Sequence, residues 1–123
     1  MSLHSNNQEI EKSKTHIIVE IIEYIPNSVV IKTIINKTTG NISAVSFDSG
    51  EALSEKTSPF DTFIQIIDGE AVINIDGHAH KLGVGESIII PAHSPNVIKA
   101  IVRFKMISTL IKRGYEEAIL KSH

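Results

Sequence analysis

Two histidines one residue apart, His78 and His80, are the clearest pair of chemically capable side chains in this sequence. Residues i and i+2 of a strand project from the same face, so the two imidazoles are spaced to chelate a divalent metal. The plainer alternative makes them polar residues of a hairpin in water. His4, His16 and His123 lie outside every motif described below. With no cysteine in the chain, thiolate ligands and disulfides are both excluded. No Ser/His/Asp arrangement, phosphate-binding glycine loop or base-stacking platform can be recognised.

Such groups must be positioned by a single domain, because 123 residues are enough to bury a core and too few for two ordinary domains. A hydrophobic content of 41% with 21% charged residues is that of a soluble globular chain. The net charge of -2 argues against a general nucleic-acid binder. The polar opening segment does not resemble a signal peptide, and no apolar run approaches the roughly 18–20 residues of a membrane span. A cytoplasmic protein is therefore expected. Heavy use of isoleucine tilts short apolar runs towards strands.

Residues 1–15 are polar, lack a hydrophobic period and predict a flexible N-terminal arm. His16 to Ile25 is ambiguous: Ile17, Ile18, Ile21, Ile22 and Ile25 fit a helical stripe, while the density of β-branched residues favours a strand. Pro26-Asn27-Ser28 forces a turn. Val29 to Asn36 and Ile42 to Phe47 read as strands joined by a hairpin turn, with Gly40 supplying a positive φ. Phe63 to Ile67 reads as a short strand ended by a turn at Asp68-Gly69. Ala71 to Ile75 and His78 to Leu82 flank the strong hairpin signal Asp76-Gly77. Ser87 to Ile90 is a further strand that stops at Pro91.

A final strand from Asn96 onward shows the clearest alternation. Asn96, Ile98, Ala100, Val102, Phe104 and Met106 share one face, and Lys99, Arg103 and Lys105 lie on the other. Only the first set can face a core without burying charge, so Asn96 should point into the interior. Tyr115 to Leu120 suits one or two helical turns. About nine short strands with little helix predict an all-β sandwich or barrel over 16–113, followed by a short tail over 114–123.

Two stretches stand out on this framework: GEALSEKTSPFDTFIQIIDG, from Gly50 to Gly69, and GESIIIPAHSPN, from Gly85 to Asn96. They resemble the paired motifs of the cupin superfamily. Gly50 and Gly69 match the two ends of the first motif, and Pro59 fits the turn within it. Gly85 and Pro91 match the second, with the required spacing between them. The segments FDSGEALSE, SPFDTFIQIIDGEA and VRFKM also resemble a group of small, single-domain bacterial cupins. The resemblance covers roughly residues 30–112 and implies a cupin-type double-stranded β-helix, a jelly-roll barrel.

Cupins usually draw a metal site from two histidines and a glutamate of the first motif and one histidine of the second. Those positions here hold Lys56, Ser58, Thr62 and Asn96. None is an imidazole or carboxylate, and a protonated amine repels a cation. The resemblance therefore implies a degenerate site with no metal cofactor. Lys56, if it points inward, supplies a positive charge for a carboxylate or phosphate, or, once desolvated, a base or Schiff-base amine. The alternative is a frayed strand end from which its ammonium reaches solvent. Ser58, Thr62 and Asn96 could floor a polar pocket, with His93, where cupins favour glycine, at its lip. Gln65 could join them only through a bulge or twist, because alternation gives it the opposite parity to Thr62. Asp61 is the carboxylate adjacent to the missing glutamate and a candidate displaced acid.

The predicted function is metal-independent binding of a small polar or anionic ligand by Lys56, Ser58, Thr62, Gln65, His93 and Asn96, with no catalytic residue assigned. One alternative is a metal-dependent cupin enzyme of isomerase, lyase or dioxygenase type, its site relocated to His78, His80 and His93 with Asp61 or Gln65. Another is a structural or interaction module, acting as a homodimer through its Ile-rich N-terminal segments. Neither nucleic acid nor membrane is expected as a partner. Fold alone does not choose among these readings.

Overall fold

The computed structural model describes residues 2–55 and 57–112, Glu55 by its backbone alone. Lys56 and the helical turns predicted for Tyr115 to Leu120 lie outside the described residues. Nine strands form among the described residues: β1 (Ser2–Asn6), β2 (Ser28–Lys37), β3 (Gly40–Phe47), β4 (Ala52–Glu55), β5 (Asp61–Ile75), β6 (His78–Gly83), β7 (Ser87–Ile90), β8 (Asn96–Lys99) and β9 (Phe104–Ile111). Among the described residues no helix is long and apolar enough to cross a membrane.

The strands make two sheets joined through β5. In the first, β2 pairs with β3, β3 with β9 and β9 with the first half of β5, whose other edge takes β7. In the second, β4 pairs with β8, and the second half of β5 lies between β8 and β6. The sheets curl face to face into a jelly roll, as the alternation of buried and exposed residues requires.

The inward faces close over one apolar cluster. It includes Val29, Val45, Phe47, Ile64, Ile66, Ile73, Ile98, Phe104 and Met106. Phe47 and Phe104, paired across β3 and β9, stack with ring centroids 4.6 Å apart and planes at 12°. A smaller cluster lies on the outer face of the first sheet, where Ile22 packs with Ala44 and Ile107.

Five local expectations are corrected. The N-terminal arm carries a strand, β1, which pairs in parallel with β2. Residues 16–25 form no strand; only a 3-10 turn, Ile18–Glu20, is regular. The edge of β2 is already taken by β1, so this segment lies across the outer face and buries Ile22 there. Tyr24 clasps it in place. Its hydroxyl donates to Asp68 at 2.5 Å, and Arg103 and Lys105 lie 4.5 and 4.9 Å from its ring centroid. Lys105 Nζ also donates to the Val19 carbonyl at 2.7 Å. Burial, and then the bond to Asp68, push the Tyr24 phenol well above the usual tyrosine range.

Asp68-Gly69 is not a turn that ends a strand. β5 continues through it with a register shift between Ile66 and Asp68, and Gly69 adopts φ +71°. A Cβ at Gly69 would collide with the Arg103 carbonyl, so glycine is needed for both conformation and close approach. Gly40 needs no positive φ. It belongs to β3, and its lack of a Cβ lets the Leu110 carbonyl approach, where a Cβ would lie 2.5 Å away. The long final strand is two strands: between β8 and β9 the chain leaves one sheet for the other, which leaves Val102 46% exposed instead of buried.

Candidate ligand-binding site

Three strands of the first sheet repeat one pattern along their inward faces. β2 offers Val29, Ile31 and Thr33; β3 offers Phe47, Val45 and Ser43; β9 offers Phe104, Met106 and Ser108. Each reads apolar, apolar, hydroxyl. The antiparallel register aligns Thr33 with Ser43 and Ser43 with Ser108, so the hydroxyls form one row across the sheet. Ile64 of β5 and Ile88 of β7 continue it. Beyond it stand Asn41, Leu110, Thr62 and Ile90.

Burial divides the barrel into two halves. Phe47, Phe104 and Met106, below the hydroxyl row, are at most 2% exposed. Thr33, Ser43, Ser108, Asn41 and Thr62 face the same interior yet remain half-buried. Inward side chains that keep solvent-accessible area show that the upper half is less completely filled than the lower, although Ile64, Ile75 and Ile90 there are buried. Among the side chains described, no Lys, Arg, Asp or Glu takes an inward position on the strands.

Asn96 faces this half from the second sheet, level with Ile75 of β5, as the parity of the last strands predicts. Its Nδ2 donates to the Ser94 carbonyl at 3.2 Å, which fixes the orientation of the amide. Its Oδ1 is buried and has no hydrogen-bond partner among the described residues. Burial of an acceptor without a partner costs about 1–3 kcal/mol, and folded proteins rarely leave one so.

The other predicted pocket residues divide. Thr62 faces inward beside Ile90 and Leu110. Half-buried Ser58 sits in the loop before β5; its Oγ accepts from the Phe60 N–H at 3.1 Å, and its carbonyl accepts from the His93 N–H at 2.6 Å. His93 is exposed at the mouth with φ +65°, the left-handed conformation that explains why glycine suits this position. Gln65 belongs to the outer face: it alternates with buried Ile64 and Ile66, and no bulge intervenes between it and Thr62. Asp61 is not a free acid in the site. Its Oδ1 accepts from the Ala92 N–H at 2.7 Å and ties the two mouth loops together. Lys56, as stated, lies outside the described residues.

His78, His80 and His93 do not converge. Register sets His78 and His80 level with Ile75 and Ile73, at the open edge of the second sheet, where both are exposed. Among the described residues no three His, Cys, Asp or Glu side chains gather as a metal would require.

Three solved structures resemble this fold over most of the chain. A conserved protein of unknown function from Streptococcus pyogenes superposes with a TM-score of 0.80 at 24% identity, over 87% of this chain and 94% of that one. A cupin superfamily protein from Desulfitobacterium hafniense gives 0.79 at 28% identity, over 87% of this chain and 98% of that one. The fold is that of the cupin superfamily. A cupin 2 conserved barrel domain protein from Leptotrichia buccalis gives 0.73 at 30% identity; 76% of this chain matches, spanning 46% of the other. No family model matches the chain, and no curated protein matches it.

The cupin fold brings the motif positions into focus. Its glycines at 50, 69 and 85 all adopt positive φ, so the framework of both motifs is retained for its backbone geometry. The ligand positions are not retained. Ser58, Thr62 and Asn96 present two hydroxyls and an amide, a donor set that does not fit the divalent metal such motifs otherwise hold. The hydroxyl row was missed from the sequence. The same period-2 rule that orients Asn96, applied to β2, β3 and β9, would have found it.

Proposed function

We propose that this cupin is a binding protein that takes a small, neutral, polar molecule into the open upper half of its barrel without a metal. The observation that carries this reading is the buried Oδ1 of Asn96, which has no hydrogen-bond partner among the described residues. Its orientation is fixed by the bond to Ser94, so it offers one acceptor to a ligand N–H or O–H. The aliphatic walls of Ile64, Ile75 and Ile90 would cover the ligand's carbon skeleton, and half-buried hydroxyls would meet its polar groups. Ligand binding would satisfy an acceptor that no described residue meets.

Titration of the 15N-labelled full chain with succinamide, myo-inositol and malonate tests this. A saturable shift of the Asn96 side-chain amide with a neutral probe, lost in Asn96→Leu, is the expected result. Equal binding by Asn96→Leu, or no response at Asn96 to any probe, would overturn the reading.

A second reading, an interaction module acting as a homodimer, draws support from β1. All five of its residues are exposed, so this edge strand gains its place from backbone pairing alone. Light scattering of the full chain, with and without residues 1–6, measures the dimer directly.

A further inference from the structure

We infer that the row Thr33–Ser43–Ser108 is a recognition surface for a polyhydroxylated ligand, a cyclic polyol or monosaccharide; this rests on the binding reading above and names the class of molecule bound. The row arises from three independent strands and is aligned by two separate registers. Directly paired residues on neighbouring strands have Cβ atoms about 4.5–5.5 Å apart. The three hydroxyls therefore stand in line at nearly even steps across the inward face. Such a repeat suits a saturated ring or chain with hydroxyls on alternate carbons.

The chemistry of the row matches that ligand on both sides. Each serine or threonine hydroxyl can donate one hydrogen bond and accept others, as can each ligand hydroxyl. The row carries no charge, so it offers no counter-ion to a carboxylate or phosphate. Ile64 and Ile88 extend it with an apolar ledge, suited to the C–H edge of a ring. The independent pointer to a ligand is across the barrel: Asn96, at an inward position level with Ile75, has a buried Oδ1 with no hydrogen-bond partner among the described residues, an acceptor that a ligand hydroxyl would satisfy.

The row is also poorly explained by packing. Alternation would allow aliphatic residues at 33, 43 and 108, as it does one step below, where Val45 and Met106 are buried. Half-buried hydroxyls in their place keep the space open.

Titrations of the full chain with myo-inositol and D-xylose, followed by NMR, test the inference, with succinamide as a comparator. The variants are Thr33→Val, Ser43→Ala and Ser108→Ala, each of which removes a hydroxyl and little else. Each should weaken polyol affinity about three- to tenfold, the net worth of one hydrogen bond, and change succinamide affinity less than twofold. Polyol affinity unchanged in all three variants would overturn the inference. So would binding of succinamide without any binding of the polyols, which leaves the binding reading intact. If neither class binds, both fall.

Discussion

The lower and upper halves of the barrel are built from the same strands, and two residues along a strand are enough to pass from one to the other. Below, Phe47 stacks on Phe104, with Val45 and Met106 packed in the next layer. Above, β2, β3 and β9 present Thr33, Ser43 and Ser108, and the opposite sheet presents Asn96. The lower half is close-packed and apolar, as protein interiors are. In the upper half inward-facing hydroxyl residues keep accessible area and one amide oxygen has no partner among the described residues. The jelly roll thus packs its aromatic pair at one end and gathers its inward polar side chains at the other, where the proposed ligand would bind. It follows that substitutions below should act on stability, and substitutions above chiefly on binding.

The largest effect should come from Phe104→Ala. Removal of a fully buried ring that stacks on Phe47 should cost about 3–5 kcal/mol, read as a loss of unfolding free energy in urea. A cost below 1 kcal/mol would mean that the lower half is not the packed end. Gly69→Ala comes next, at the base where β5 passes from one sheet to the other. Positive φ and the collision with the Arg103 carbonyl should destabilise the protein by more than about 1 kcal/mol.

At the mouth the sign should reverse. His93 holds a left-handed conformation, so His93→Gly should stabilise the chain by roughly 1 kcal/mol, seen as a higher Tm. A lower Tm would show that the imbalance between the halves does not extend to the mouth loops.

The smallest effect is electrostatic and acts at both ends of β2. The Glu9 carboxylate accepts the Asn36 N–H at 2.6 Å, and the Asp48 carboxylate accepts the Asn27 N–H at 2.7 Å. These bonds hold both carboxyls below their ordinary values, with a second backbone N–H, that of Ser49, contributing at Asp48. A depressed carboxyl contributes stability that is present above its unfolded value and is lost as pH falls through the folded one. Stability should therefore decline below about pH 4, and more shallowly in Glu9→Gln or Asp48→Asn, as pH-dependent unfolding midpoints would record. An unchanged slope in both variants would remove these two groups from the acid response.

Much of this architecture was legible in the sequence. Glycines at 50, 69 and 85 and Pro91 mark turns and bulges whose spacing reflects the barrel itself, and period-2 alternation located most strands. The inward Asn96 followed from the cost of burying Lys99, Arg103 and Lys105. Other features were hidden for physical reasons. Asp-Gly is the same dipeptide in a turn and in a bulge, so only the partner strand β9 reveals that β5 runs on through Asp68 and Gly69. Alternation stays in phase through Ala100 and Val102, although the chain there changes sheets. The isoleucines of 16–25 say that this segment packs against the fold, as Ile22 does, but not that β1 has already taken the strand edge. The open half could not be read from any one strand, because a hydroxyl row exists only once three strands are in register.

The most direct test of the account is the unfolding free energy of Asn96→Leu against the unchanged protein, measured by urea denaturation without ligand. If Asn96 Oδ1 is kept bare for a ligand at a cost to the fold, the variant should be more stable by about 1 kcal/mol, with an unchanged m-value. A variant less stable than the parent would show that the amide serves the fold, and would contradict the division of the barrel into a structural half and a binding half.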